Sequence, residues 1–88
     1  MFFVYALYSK DFDKIYIGYS PDPNKRLLSH NDERSSGWTS KFRPWILIYT
    51  EKCESKTTAL VREKQLKTSR GRNFVWSYIT NNKTHFEH

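Results

Sequence analysis

The chain has 88 residues, of which 38% are hydrophobic and 17% aromatic, so it is long enough for one domain with a modest core. Three glycines and three prolines argue against a disordered or repetitive chain. The net charge of +6 indicates a polyanionic partner, either nucleic acid or an anionic membrane surface, with an ordinary solvated surface as the alternative.

The first two predicted elements form a β-hairpin. Residues 2–8 are aromatic and β-branched, as is typical of strands. This apolar run is too short for a signal peptide and lacks the basic residues with which a signal peptide begins. Residues 14–20 alternate in polarity, so Tyr16 and Gly18 share one face while Ile15, Ile17 and Tyr19 share the other. A turn centred on Lys10-Asp11 would place Tyr5 opposite Tyr16, a pairing that a one-residue slip would separate.

A short helix follows the hairpin. An aspartate before Pro23 is a favourable N-cap, and proline is well tolerated in the first helical position. We expect this helix to run from about Pro23 to Asp32, with Leu27 and Leu28 turned toward the core. Residues 33–43 then read as an exposed loop, and loops of this length in small domains are often functional.

The second half of the chain is predicted to contain a strand and two helices. Residues 45–50, after a proline, form an apolar run that indicates a strand covered on both faces. A second helix is predicted from Glu54 or Ser55 to about Thr68, and residues 69–73 read as a basic turn. The aromatic segment that follows, residues 74–79, is predicted to be a closing helix, with a strand as the alternative.

This order of elements predicts an α+β domain in which helices cover a small sheet. The domain is expected to span residues 1–80, and residues 81–88 read as a flexible C-terminal tail. Cys53 is the only cysteine, which excludes an intrachain disulfide and indicates a reducing, cytoplasmic setting. No segment approaches the roughly 18 consecutive apolar residues of a membrane span.

A carboxylate in the predicted second helix is the most informative residue. On a helical wheel Glu63 lies between Ala59 and Leu66, so it should face the body of the protein. An unpaired buried carboxylate is costly, so Glu63 needs a metal ion or an arginine beside it. The structural alternatives are a buried ion pair and a position at the rim that reaches solvent.

Other polar side chains could share a site with Glu63. Arg26 and His30 are four residues apart and project from one face of the first helix, although they also fit a surface arginine and a half-buried histidine. Tyr16 shares a strand face with Gly18, which leaves space for a ligand, although a single strand tyrosine is usually a core residue. Such groups could bind Mg²⁺ and a phosphate and supply a base, which is the chemistry of phosphoryl transfer.

These positions resemble the motifs of the GIY-YIG nuclease family. Phe3-Val4-Tyr5 and Tyr16-Ile17-Gly18 resemble the paired motifs, with ten residues between the two tyrosines. The pattern continues with Arg26, His30-Asn31, Thr39, Pro44-Trp45, Ala59 and Arg62-Glu63. The resemblance covers roughly residues 2–79 and is closest to short stand-alone members. The departures are Phe3 for glycine and Val4 for isoleucine in the first motif, and Tyr19 where some members carry lysine.

The resemblance implies a fold and a chemistry. The fold is a three-stranded, mainly antiparallel sheet flanked by helices in the order β-β-α-β-α-α, and the activity is metal-dependent endonucleolytic hydrolysis with one Mg²⁺ or Mn²⁺. Glu63 would be the metal ligand, Arg26 the phosphate-binding residue and Tyr16 the tyrosine that helps to activate water. Tyr5 would shape the site, and His30 would contact it.

Five basic residues are candidates for contacts with a nucleic-acid backbone: Lys41, Arg43, Lys67, Arg70 and Arg72. A solvated basic face is the alternative. DNA is favoured over RNA, a membrane partner is not expected, and a protein partner could supply specificity because so small a domain has little surface for base readout. The alternative to an enzyme is a catalytically weak or inactive nucleic-acid-binding module on the same fold, and a structural or partner-binding protein is a third possibility.

Overall fold

The computed structural model describes residues 1–82, which form three strands and three helices around a single sheet. The elements in chain order are β1 (Phe2–Ser9), β2 (Lys14–Ser20), α1 (Pro23–Asn31), a 3-10 helix (Trp38–Phe42), β3 (Ile46–Cys53), α2 (Lys56–Leu66) and α3 (Ser69–Asn81). This order confirms the predicted α+β class. Most of the predicted C-terminal tail, residues 83–88, lies outside the described residues.

The sheet is antiparallel throughout, with β1 in its centre and the strand order β2-β1-β3. All residues of β1 from Val4 to Ser9 are buried. Because successive side chains of a strand point to opposite faces, both faces of the sheet are covered at β1. Among the described residues no strand pairs with the outer edge of β2 or of β3, so both are edge strands.

The register of the hairpin differs from the predicted one. Tyr5 lies opposite Gly18 and not opposite Tyr16, so the predicted pairing is wrong by two residues. The cause is the connection, which is a four-residue loop that ends at Asp13 with a φ of 54° and not a tight turn on Lys10-Asp11. A shift of two residues preserves the face of each side chain, so Tyr5 and Tyr16 still share one face as diagonal neighbours.

Two apolar clusters occupy the two faces of the sheet. The larger lies between the sheet and the helices α2 and α3, and it includes Val4, Ala6, Ile17, Leu66, Val75 and Ile79. The smaller lies on the face of α1 and the 3-10 helix, and it consists of Tyr5, Leu7 and Trp45, with Tyr16, Leu27, Phe42 and Leu47 packed against it. The two tyrosines of the resemblance therefore belong to the smaller cluster.

Helix α1 begins and ends close to the predicted positions. The Asp22 side chain caps it by accepting a hydrogen bond of 3.1 Å from the Lys25 amide, and the helix ends at Asn31. Leu27 packs against the smaller cluster, but Leu28 is 72% exposed, so the prediction that both leucines face the core is wrong. Adjacent helical residues point about 100° apart, and the narrow face of α1 accommodates only one of them.

The segment between α1 and β3 is more ordered than an exposed loop. It contains the 3-10 helix, in which Thr39 is buried, and Trp45 is buried immediately before β3. Strand β3 continues to Cys53, three residues beyond the predicted end at Thr50. Its residues alternate between buried and exposed positions toward the C-terminal end, so the prediction that both faces are covered holds only for its first half.

Helix α3 begins earlier than predicted. Residues 69–73 are its first turn and not a separate basic turn, because Thr68 caps the helix by accepting a hydrogen bond of 3.2 Å from the Gly71 amide. A Cβ atom on Gly71 would overlap the backbone of Gln65 and Leu66, so only glycine allows α3 to follow α2 this closely. The prediction of a closing helix over residues 74–79 is confirmed. Within residues 1–82 no helix has both the length and the apolar character needed to span a bilayer.

Candidate active site

Tyr5 lies at the centre of the candidate site. Its ring is buried in the smaller cluster with 1% exposure, while its hydroxyl group is 3.1 Å from Nε2 of His30. The guanidinium of Arg26 is close enough to lower the pKa of the same hydroxyl group. Because Arg26 and His30 project from one face of α1, as their spacing predicts, a single helix supplies both partners of the Tyr5 hydroxyl.

Gly18 makes room for this arrangement. A Cβ atom at this position would lie 2.8 Å from the Tyr5 hydroxyl oxygen and 3.0 Å from Cε2 of Tyr16, which is closer than real contacts allow. The glycine therefore lets the Tyr5 ring extend across β2 toward α1. The sequence predicted open space beside Gly18 for a ligand, and the structure fills that space with the two tyrosine rings.

His30 is held at both ring nitrogens. Its Nδ1 is 3.1 Å from the Thr39 hydroxyl oxygen, while Nε2 faces Tyr5. Burial lowers the pKa of His30 below its usual 6.5, and the nearby Arg26 charge lowers it further. His30 is therefore neutral at pH 7, so one ring nitrogen donates and the other accepts. This leaves His30 as a residue that positions Tyr5, since neither nitrogen is available to a substrate.

The Tyr5 hydroxyl remains protonated at neutral pH. Burial raises its pKa above 10.0, the nearby Arg26 guanidinium opposes this shift, and the nearby Tyr16 and Glu63 raise the pKa further. A protonated phenol can donate and accept hydrogen bonds but is not a standing base. Tyr5 is thus suited to position His30 and the nearby Arg26 around the site.

Tyr16 lies at the border between the buried cluster and the surface. Its ring centroid is 4.8 Å from that of His30, 6.2 Å from that of Tyr5 and 6.5 Å from that of Trp45. The residue is half-buried and lines the largest of three surface clefts formed by the described residues, which has a volume of about 500 Å³. Its hydroxyl is consequently the phenol of the site that a bound substrate can reach.

Glu63 approaches the site from α2, which packs against both β1 and β2. Its side chain is only 14% exposed, as predicted from its place between Ala59 and Leu66. Its cationic neighbour is Lys67, at 3.6 Å one helical turn away, which is the ion-pair alternative considered from sequence with a lysine in place of an arginine. The Glu63 charge also contributes to the raised pKa of Tyr5, of which burial is the largest cause.

The donor set can hold a divalent cation only with help from a substrate. Within residues 1–82 no group of three or more His, Cys, Asp or Glu side chains is placed to bind a metal ion. A single carboxylate such as Glu63, completed by waters and phosphate oxygens, is nevertheless a recognised environment for Mg²⁺. The hard oxygen donors of Glu63 and the phenols fit such an ion, and a soft-metal site is not formed.

Asn31 fixes the position of α1 against β3. Its side-chain amide donates to the Trp45 carbonyl oxygen at 2.9 Å, and its side-chain oxygen accepts from the Trp45 amide at 2.6 Å. This double hydrogen bond holds the end of α1 in place directly after His30. The sequence analysis named Asn31 only as part of the family motif, and it did not predict this structural role.

Comparison with known proteins identifies the family to which this site belongs. The family model of the GIY-YIG catalytic domain matches residues 1–84. The chain belongs to the GIY-YIG family. UPF0213 proteins from Staphylococcus saprophyticus, S. epidermidis and S. aureus are 36%, 38% and 39% identical to it, each over 66 residues that make up 75% of this chain and 79% of the relative. No solved structure matches the chain.

Membership of the GIY-YIG family confirms the resemblance seen in the sequence. It is a nuclease family, so nucleic acid is the class of substrate that membership implies. The Staphylococcus relatives are small proteins, since 66 residues make up 79% of each, which agrees with a short stand-alone GIY-YIG domain.

The five basic residues predicted to bind nucleic acid do not form one patch. Lys67 and Arg72 line the largest cleft, whereas Arg70 lines a second cleft between α2 and α3. Lys41 is exposed at the end of the 3-10 helix. The Arg43 guanidinium donates to the backbone oxygen of Asp32 and to the Ser35 hydroxyl, so it also ties α1 to the following loop.

Several residues of the largest cleft were not predicted. The cleft has a volume of about 500 Å³ and lies along the outer edge of β2, next to Tyr16. The residues that sequence reasoning missed are Lys14, Trp38 and Trp76. The exposed Trp38, in a long loop, was a usable signal, because a large aromatic side chain on the surface often marks a binding site.

Proposed function

We propose that this GIY-YIG domain is a metal-dependent endonuclease that hydrolyses phosphodiester bonds by a one-metal mechanism. The observation that carries the proposal is the convergence on the Tyr5 hydroxyl. His30 hydrogen-bonds it, the Tyr16 ring packs beside it, and the charges of Arg26 and Glu63 shift its pKa in opposite directions. A buried group of this kind has no advantage for stability alone, because apolar side chains would fill the same space without the cost of desolvation.

Arg26 would bind the scissile phosphate. It is exposed on α1, and its guanidinium lies close to the Tyr5 hydroxyl, whose pKa it lowers. A guanidinium can contact two phosphate oxygens at once, and an oriented donor stabilises the charge that develops on them in the transition state.

The tyrosines would orient and activate the attacking water. Tyr16 reaches the cleft, so its hydroxyl would accept the proton of the attacking water while passing its own proton to a phosphate oxygen, which leaves Tyr16 a neutral phenol again. Tyr5, kept protonated by burial, would shape the site and so orient the water and the phosphate through Arg26 and Tyr16. His30 would act on Tyr5, because its two ring nitrogens are engaged by Tyr5 and Thr39.

Glu63 would hold the divalent cation, Mg²⁺ or Mn²⁺. The bound cation would neutralise charge on the phosphate and on the leaving oxygen. Lys67 lies 3.6 Å from Glu63, so this lysine would turn away from the carboxylate toward the substrate backbone when the cation binds.

The substrate would be DNA rather than RNA, bound by the basic residues of the two clefts together with Lys41 and Arg43. The domain has room for few base contacts, so a protein partner would supply further specificity.

A catalytically weak nucleic-acid-binding module is the second candidate. The observation that favours it is the Lys67–Glu63 ion pair, which already gives the buried carboxylate a cationic neighbour. In that case the basic clefts would bind nucleic acid, and Glu63 would serve only to keep Lys67 in place.

Cleavage by a Glu63→Gln variant separates the two candidates. We expect nicking of labelled DNA, tested as branched, duplex and single-stranded forms beside RNA, in the presence of Mg²⁺ or Mn²⁺ and not with EDTA. Glu63→Gln should lower the rate at least about 100-fold, because it removes the charge that holds the cation. Binding measured in EDTA should change little.

Glu54→Gln is the matched control, since it makes the same change at an exposed position before α2 and should cleave normally. Cleavage that survives in Glu63→Gln would reject the proposed site. A wild-type protein that binds every substrate and cleaves none would favour the binding module.

A further inference from the structure

The largest cleft has features that the hydrolytic site does not use. It runs along the outer edge of β2, and its volume of about 500 Å³ is within the range of ordinary ligand pockets. Tyr16 forms one side of it, so the cleft adjoins the position proposed for the scissile phosphate. It lies between the layer of α1 and the 3-10 helix and the layer of α2 and α3.

The charge of the cleft suits a phosphate backbone. Three cations line it, Lys14, Lys67 and Arg72, against one carboxylate, Asp13. That carboxylate already accepts a hydrogen bond of 2.9 Å from the Tyr8 hydroxyl. Arg72 lies near the N-terminal end of α3, whose first turn contains no acidic residue, so the helix dipole adds to the positive potential.

Two tryptophans provide flat surfaces in the same cleft. Trp38 is 48% exposed and is supported from behind by Phe42 and Trp45, with ring centroids at 4.7 and 5.9 Å. Trp76 is half-buried and packs edge-on against Tyr8 at 6.1 Å. Aromatic rings beside cations form the usual combination for unstacked nucleotides, because every base has a face that can stack.

The edge of β2 adds hydrogen-bonding groups between these surfaces. Ile15 and Ile17 line the cleft, and within residues 1–82 no strand pairs with this side of β2. An unpaired strand edge presents backbone N–H and C=O groups. Such groups can contact the edge of a base that is no longer paired, whereas a base inside a duplex cannot reach them.

We propose that this cleft binds one unpaired nucleotide next to the scissile phosphodiester. Its base stacks on Trp38, and its phosphates contact Lys14, Lys67 and Arg72. The preferred substrate is therefore nucleic acid with an unpaired nucleotide beside the cut, such as a flap, a branch or a single-stranded end. This inference rests on the proposed nuclease function for the position of the cut, but the binding site itself does not depend on cleavage.

Binding in EDTA tests the proposal without cleavage. Fluorescence anisotropy compares a blunt duplex with a duplex of equal charge that carries a one-nucleotide flap, in DNA and in RNA. We expect at least about fivefold tighter binding of the flapped form, the factor that one weak stacking contact supplies. With 2-aminopurine as the flap base, binding should quench its fluorescence, and 2-aminopurine inside the duplex should be unaffected.

Variants assign the effect to the cleft. Trp38→Ala should remove most of the preference for the flap and most of the quenching, whereas Trp38→Phe should retain both. Arg72→Gln and Lys14→Gln should each reduce the slope of log K against log salt by about 1. Lys52→Gln, the same change on the opposite edge strand β3, should leave the slope unchanged. Thermal unfolding of each variant verifies that it is folded.

Equal affinity of the wild-type protein for blunt and flapped duplexes would overturn the proposal. A folded Trp38→Ala variant that still prefers the flapped duplex and still quenches the 2-aminopurine fluorescence would also overturn it. Cleavage without a flap preference would reject the cleft and leave the nuclease intact. A flap preference without any cleavage would support the cleft and count against the nuclease. The two proposals can therefore fail separately.

Discussion

Replacing Gly18 with alanine tests whether the site depends on the packing of Tyr5. The added Cβ would lie 2.8 Å from the Tyr5 hydroxyl oxygen and 2.9 Å from Cζ of the same ring. Strand backbone at this position is otherwise compatible with alanine, since Gly18 does not have a positive φ. The variant therefore perturbs the tyrosine and not the backbone.

The size of the effect follows from these distances. The Tyr5 hydroxyl must move by about 0.6 Å, from 2.8 Å to the 3.4 Å at which ordinary contact begins. A movement of that size along the line to His30 would take the 3.1 Å hydrogen bond out of its normal range, and a movement across that line would compress a ring that is 1% exposed. Overpacking of this kind lowers the free energy of unfolding by about 1–3 kcal/mol, whereas the lower conformational entropy of the unfolded chain with alanine raises it by about 0.4–1 kcal/mol.

The expected net loss of stability therefore lies between about 0 and 2.6 kcal/mol, and its midpoint of about 1.3 kcal/mol corresponds to a fall in Tm of roughly 5–10 °C for a domain of this size. Cleavage should fall further than stability, by about 10- to 100-fold at 25 °C, because Tyr5 no longer orients the reacting groups. Urea unfolding and single-turnover cleavage measure the two effects on the same preparation.

Ile79→Val provides a control with comparable destabilisation. Ile79 is buried in the larger cluster on the other face of the sheet, and loss of one methylene there costs about 0.5–1.5 kcal/mol. This variant should cleave at the normal rate below its Tm. A Gly18→Ala protein with unchanged Tm and unchanged cleavage would refute the placement of the Tyr5 ring, and equal loss of activity in Ile79→Val would show that instability alone explains the defect.

Two further predictions concern the partners of Tyr5 and the position of α1. Because burial lowers the pKa of His30, the unfolded chain binds the proton first as pH falls, so the free energy of unfolding should be highest above pH 6.5 and decline as pH falls through the folded-state pKa. His30→Gln should remove this part of the decline in urea unfolding, and a pH dependence that the variant leaves unchanged would contradict the prediction. Asn31→Ala should lower the free energy of unfolding by about 2 kcal/mol in the same assay, since it removes both hydrogen bonds to the Trp45 backbone. Asn24→Ala, at an exposed position on the same helix, should lower it little, and equal losses of stability in the two variants would show that the Asn31–Trp45 contact contributes nothing.

The faces of the strands could be predicted from sequence because alternation of side chains has a fixed period of two. Tyr5 and Tyr16 therefore share a face in the structure as they did in the prediction, even though the register was wrong. The register depends on the backbone of the connecting loop, in which Asp13 adopts a positive φ and its carboxylate accepts a hydrogen bond from Tyr8. Neither feature has a clear signal in the local sequence.

The candidate site could be predicted in part. The burial of Glu63 follows from helical periodicity, and the shared face of Arg26 and His30 follows from their spacing. The hydrogen bonds that complete the site cross long stretches of sequence, as between Thr39 and His30 or between Asn31 and Trp45. Side-chain contacts between distant elements depend on packing angles, which periodicity does not determine.

The predicted start of the last helix was wrong because tertiary contacts there override the local sequence pattern. Residues 69–73 contain glycine, serine and arginine, which favour a turn when read alone. In the structure the Thr68 cap and the close approach of Gly71 to α2 allow a helix to begin there. The earlier start places Arg72 on the first turns of α3, where it lines the cleft beside β2.

Tyr5 shows why stability and chemistry must be separated with care in this domain. It is among the largest fully buried side chains, and its hydroxyl is also the point at which α1 meets the hairpin. Loss of activity after a change at Tyr5 or His30 would therefore not distinguish a catalytic role from a structural one. Arg26 is exposed, Tyr16 borders the cleft, and the nearest neighbour of Glu63 is a lysine that retains solvent access. Substitutions at Arg26 and Glu63, and Tyr16→Phe, which keeps the ring, leave the buried cluster in place, so a defect in cleavage with normal unfolding would report on the chemistry itself.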